Sequence, residues 1–156
     1  MCHFKERHYS QLHYPKKVDC FPSLPPEMFQ YLEAYALYVY EVKGRRMTLG
    51  DVVREALHQF LKKVLKQIVL EKTYKLPDHY NRYRTKQFKK YEKIRVRVPY
   101  QIYVHLKQAI DCNYIYCNFS KPSLAACVRE AIHQHAEAHR QTIEKFIANS
   151  DWDILR

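Results

Sequence analysis

The sequence predicts a mainly α-helical fold with a short two-stranded antiparallel ribbon, assembled from two tandem strand–helix–helix units in one chain. Three observations lead there. The run Val53-Arg54-Glu55-Ala56-Leu57-His58-Gln59 returns as Val128-Arg129-Glu130-Ala131-Ile132-His133-Gln134, six of seven positions identical at an offset of 75 residues. The segment Lys93–Pro99 alternates basic and β-branched side chains with the period of a half-buried strand and stands directly before a helical stripe. Only two glycines, Gly44 and Gly50, occur in 156 residues, too few for a turn-rich barrel or sandwich, a Rossmann loop or a P-loop.

The second unit is the clearer one. In Lys93–Val98 the basic residues Lys93, Arg95 and Arg97 fall on one face and Ile94, Val96 and Val98 on the other. Pro99 stops the ladder and suits the first turn of a helix. Ile102, Tyr103, Leu106, Ala109 and Ile110 then form one helical stripe. A polar and aromatic connection from Asp111 to Pro122 follows. Ser120 or Ser123 can cap the next helix, because a hydroxyl oxygen accepts from an otherwise orphaned amide. Its expected buried face is Cys127, Val128, Ala131, Ile132 and Ala136.

The first unit repeats the order. Pro25–Phe29 aligns with Pro99–Tyr103 at an offset of 74, and Met28, Phe29, Leu32, Tyr35, Ala36 and Val39 make the stripe. Gly44 suits a left-handed helix end within the basic turn Lys43–Arg46. Thr48 is placed to cap a helix whose stripe is Val52, Val53, Ala56, Leu57, Phe60, Leu61 and Val64, expected to continue through Leu65, Ile68 and Val69 to Leu70. Its strand, Asp19–Leu24, is weaker because Pro22 removes a ladder donor. The expected organisation is an N-terminal arm (1–17), a first unit (18–70), a basic tyrosine-rich linker (71–92), a second unit (93–140) and a helical tail (141–156). About 20 extended linker residues would reach on the order of 60 Å, enough for the second strand to return beside the first.

Lys and Arg number 27 against 16 Asp and Glu, a net charge of +11 with nine histidines besides. That excess points to a polyanion, nucleic acid or an anionic membrane surface. No apolar run approaches the roughly 20 residues that span a bilayer, and Met1–Lys5 does not open a signal peptide. Five cysteines, an odd count without a framework, suit a reducing compartment, so the expected location is cytoplasmic. His135 and His139 stand four apart on one helix, and Cys112 and Cys117 share a loop, but no Cys-x2-Cys pair completes a zinc set. No nucleophile turn or His-Glu-x-x-His accompanies the Ser, His and Asp residues. The expectation is no enzyme, no cofactor and no metal.

The strand Lys93–Pro99, the first-helix stripe and the run Ser-Leu-Ala-Ala-Cys-Val-Arg-Glu-Ala over Ser123–Ala131 resemble the ribbon-helix-helix superfamily of DNA-binding proteins, the MetJ and Arc class. Thr-Leu-Gly-Asp-Val-Val-Arg-Glu-Ala over Thr48–Ala56 carries the resemblance in the first unit, and two copies in one chain are similar to the TraY-like arrangement. The resemblance implies a tandem ribbon-helix-helix pseudo-dimer, or copies exchanged in a homodimer, with the ribbon in the major groove of double-stranded DNA. By that resemblance Lys93, Arg95, Arg97, Phe21 and Ser23 contact bases, while Asp19 departs from the pattern because it repels phosphate unless it accepts from cytosine N4. Phosphates would be held at the helix starts Thr48, Leu49, Ser123 and Leu124, assisted by Arg45, Arg46 and Lys121. It implies a transcriptional regulator or nucleoprotein accessory factor. Two other readings stand beside it. One is an antitoxin-type module that binds a protein partner through the tail Gln141–Arg156, with Phe146, Ile147, Trp152, Ile154 and Leu155. The other is single-strand or RNA binding through linker tyrosines Tyr74, Tyr80, Tyr83 and Tyr91. For the recurring Arg54 and Arg129 the expectation is an ion pair with a neighbouring helix, and for His58 and His133 a structural place.

Overall fold

A computed structural model describes residues 17–77, 91–118 and 121–150. Strands β1 (Lys17–Cys20) and β2 (Ser23–Leu24) lead into helices α1 (Pro26–Lys43) and α2 (Leu49–Glu71). After β3 (Tyr74–Lys75) come β4 (Glu92–Lys93), β5 (Val96–Pro99), α3 (Tyr100–Asp111), β6 (Ile115–Tyr116) and α4 (Leu124–Ala148). The chain is thus mainly helical, with small two-stranded sheets. Tyr80, Tyr83, Ser120, Trp152, Ile154 and Leu155 lie outside the described residues.

The helix ends follow from their residues. Pro25 takes the extended N-cap conformation and Pro26 the first helical position, where a missing amide hydrogen sacrifices no bond. Gly44 ends α1 at φ 66°, and its amide returns to the Tyr40 carbonyl at 3.1 Å. A Cβ would be strained at that φ. Thr48 caps α2 reciprocally with Asp51: the Asp51 amide donates to Thr48 Oγ1 at 3.1 Å, and the Thr48 amide to Asp51 Oδ2 at 2.8 Å. Ser123 caps α4 by accepting from the Ala126 amide at 3.0 Å.

β1 pairs antiparallel with β5, matching Lys17 to Pro99, Val18 to Val98, Asp19 to Arg97 and Cys20 to Val96. β2 pairs with β4 in the same register, Ser23 opposite Lys93 and Leu24 opposite Glu92. The two pairs are therefore one ribbon interrupted beside Pro22. There the ladder survives as a bond from the Ile94 amide to the Pro22 carbonyl at 3.0 Å, because a proline still accepts although it cannot donate. One ribbon face, with Cys20, Leu24, Val96 and Val98, is buried on the helices.

Beneath it α2 packs on α4, α1 and α3, and α1 packs on α4. Leu32, Val39, Val52, Leu57, Leu106 and Ile132 are closed to solvent, each such burial contributing roughly 1.5–3 kcal/mol. The expected continuation of the α2 stripe is corrected at its end. Ile68 is buried, but Val69 and Leu70 are 76% and 73% exposed, on the side of the last α2 turn away from the core. The linker's beginning is also more ordered than its composition suggested. β3 runs parallel to β6, Tyr74 and Leu76 are buried, and the Tyr74 hydroxyl accepts from Gln134 Nε2 at 2.8 Å.

Candidate nucleic-acid interface

The outward ribbon face carries Asp19, Phe21 and Ser23 from the first segment and Lys93, Arg95 and Arg97 from the second. Ser23 is half-buried and the other five are exposed, Phe21 by 58%. The pleat dictates this arrangement: once Val96 and Val98 are drawn into the core, Arg95 and Arg97 must point away from it. All five side chains expected to contact bases are thereby brought onto one ridge.

Asp19 changes the chemistry of that ridge. Its Oδ2 meets Arg95 Nη2 at 2.8 Å and its Oδ1 lies 3.5 Å from Arg97 Nε. The hydrogen bond from Arg95 holds the Asp19 carboxyl below its ordinary pKa, with both guanidinium charges adding to the effect. The aspartate that departs from the family pattern thus engages both arginines.

The expected phosphate-binding positions sit at two helix starts with different local chemistry. At α2 the Thr48 amide is already taken by Asp51, which also pairs with Arg54. At α4 the equivalent of Asp51 is Ala126, so no acidic side chain stands in the first turn. A cleft of about 290 Å³ lies between Val18–Pro22 of the ribbon and Leu124, Ala125 and Val128 of that helix. Arg45 and Arg46 are exposed in the α1–α2 turn, whereas Lys121 is held at 3.0 Å by Asp111.

For Arg54 the expectation is corrected: its ion pair is with Asp51 of its own helix, and both Arg54 and Arg129 also bond ribbon carbonyls. Arg54 Nη1 donates to the Arg97 carbonyl at 3.1 Å, and Arg129 Nη1 to the Ser23 carbonyl at 2.8 Å. Each arginine thus reaches from the second helix of its own unit to the ribbon segment of the other. Arg129 lies 75 residues after Arg54, and Arg97 lies 74 after Ser23, the offsets of the sequence repeat. Arg129 is wholly buried, with the Tyr91 ring 5.8 Å away. Gly50 leaves the Arg54 path open, since a Cβ there would come within 3.3 Å of Arg54 Nη1. The recurrence of Val-Arg-Glu-Ala was the signal for this pair, but its cross-unit reach needed the fold.

A buried polar cluster, unforeseen in the sequence, joins α1, α2 and α4. His135 Nε2 lies 2.8 Å from Glu55 Oε2 and its Nδ1 2.5 Å from the Tyr31 hydroxyl. A neutral imidazole satisfies both, donating from Nε2 and accepting at Nδ1 from the tyrosine. His139 stacks on His135 at 4.4 Å and donates from Nδ1 to the His135 carbonyl at 2.9 Å, which places both histidines in packing and hydrogen bonding. Among the described residues no three His, Cys, Asp or Glu side chains are grouped to hold a metal.

Burial holds the His135 imidazole below its usual pKa, and the Glu55 bond offsets this only in part. Burial alone would raise the Glu55 carboxyl, but bonds from His135 and Tyr35 hold it low; burial and Glu55 push Tyr35 up to about 12. The sign follows directly. As pH falls through about 6.5 the unfolded chain gains a proton at residue 135 that the folded chain refuses, so stability decreases. Below about 4.5 Glu55 adds to the loss. Urea unfolding is expected to show a lower midpoint at pH 5.5 than at pH 8, with His135→Gln flattening that interval; equal midpoints for the parent chain would contradict it.

No protein-family model, curated protein or solved structure matches this chain. Among the described residues no helix is long and apolar enough to cross a membrane.

Proposed function

We propose that this chain is a tandem ribbon-helix-helix protein that binds double-stranded DNA sequence-selectively, as a transcriptional regulator or nucleoprotein accessory factor. The observation that carries the reading is the antiparallel pairing of Lys17–Cys20 with Val96–Pro99, which leaves Arg95 and Arg97 exposed on the side opposite the core. A β-ribbon fits the major groove, where an arginine fork donates to guanine O6 and N7. The reciprocal bonds of Arg54 and Arg129 support a pseudo-dimeric arrangement of the two units. In it Lys93, Arg95, Arg97, Phe21 and Ser23 face bases. The starts of α2 and α4, at Thr48, Leu49, Ser123 and Leu124, flank the ribbon with Arg45, Arg46 and Lys121 to hold phosphates. The protein acts by occupancy, bending or recruitment rather than by catalysis.

The two ribbon segments differ chemically, so the expected site is not palindromic. Selection from a random duplex pool tests the proposal. The expected outcome is an enriched asymmetric sequence whose affinity falls steeply with salt, as counterion release requires. No enrichment, or affinity unchanged between low and moderate salt, would overturn it.

A further inference from the structure

We infer that Asp19 is a specificity-determining residue of the ridge: it aims Arg97 at a G·C base edge, holds Arg95 beside it, and weakens the ridge's attraction for phosphate. The inference rests on the duplex-binding reading and adds to it a residue that touches no phosphate.

The geometry supplies the argument. Asp19 stands directly across the ribbon from Arg97, and Arg95 is two residues along the same face. Each carboxylate oxygen takes one arginine, so a single anion fixes two long cationic side chains that otherwise sample many rotamers. Arg97 is held through Nε, which leaves its two terminal nitrogens engaged by no other described residue. Those terminal nitrogens form the fork that matches guanine O6 and N7. The carboxylate itself is an acceptor and suits the N4 amino group of the cytosine paired with that guanine.

Charge gives the second half of the effect. Lys17, Lys93, Arg95 and Arg97 put four cations on the ridge, and Asp19 returns one anion to their midst. Non-specific binding depends on phosphate neutralisation and counterion release, so an internal anion weakens it on every sequence alike. Contacts to G·C edges keep their donors and acceptors. Selectivity therefore rises as general affinity falls. Arginines without Asp19 would grip any backbone within reach.

Asp19→Asn keeps the side-chain shape and removes the charge. We expect this variant to bind an unrelated duplex several-fold more tightly, with a salt slope steeper by about one. The ratio of affinities for the selected and unrelated duplexes is expected to drop about tenfold, and Asp19→Glu to restore much of it. A ratio and slope unmoved by Asp19→Asn, in a chain that melts like the parent and still selects its site, would overturn the role of Asp19 alone. A parallel loss on both duplexes, with a lowered melting temperature, would mean a purely structural residue and overturn it too. A parent chain that binds no duplex would overturn the reading beneath it as well.

Discussion

Replacing Arg95 and Arg97 by alanine is expected to abolish sequence-selective duplex binding while the fold persists. Both side chains are more than half exposed, at 56% and 62%, and they contribute nothing to the core. Their removal leaves the buried partners Val96 and Val98 in place. A bidentate contact to guanine supplies roughly 1–3 kcal/mol of discrimination, so each alanine should weaken the selected site about 5- to 150-fold. The unrelated duplex should lose far less, because Lys93, Arg45 and Arg46 remain. Titration of both duplexes, beside a thermal melt, checks the prediction. A double variant that selects its site as the parent does would remove the ribbon from the reader's role.

The second large effect lies in the core. Leu57 is closed to solvent on α2, and Val128 is buried on α4 below the ribbon. Aspartate at either position would bury an ionised carboxylate among apolar side chains without a partner, a penalty of several kcal/mol. Such a penalty is comparable with the total stability of a small domain. Leu57→Asp and Val128→Asp are expected to lose the cooperative unfolding transition. A melt like the parent's would show that the two units do not share the interior described above.

The elements that could be read from the residue pattern are those whose period is set locally. Ile94, Val96 and Val98 alternate with Lys93, Arg95 and Arg97, and the pleat turns that alternation into two faces whatever the partner is. The stripe Met28, Leu32, Tyr35, Val39 is legible for the same reason at a period of 3.6. What could not be read depends on register and on which helices meet. The grip of Asp19 on two arginines follows from its place opposite Arg97, which no single segment encodes. Arg129 and Glu130 look like surface residues of α4 yet are buried, because the ribbon and β3 cover that part of the helix. His135 is polar in the sequence and buried in the fold, since Glu55 and Tyr31 approach it from two other helices. Two-residue strands such as β3 and β6 carry too few side chains for any period to show.

The helix starts illustrate a difference invisible at the level of the repeat. Thr48 and Ser123 occupy matching places and both cap, but Asp51 occupies the Thr48 amide whereas Ala126 offers nothing comparable to its own end. If phosphates are held at both, the α4 end offers the more favourable field, and the duplex is gripped unequally about the ribbon.

Guanine N7 methylation interference on the selected duplex tests the major-groove reading most directly. A methyl group at N7 blocks the arginine fork and leaves the minor groove untouched. Methylation at one or two guanines near the centre of the site is expected to prevent binding by the parent chain, and to matter little to what binding the Arg95→Ala, Arg97→Ala variant retains. Interference confined to adenine N3 in the minor groove, or none at any guanine, would contradict the placement of this ribbon in the duplex.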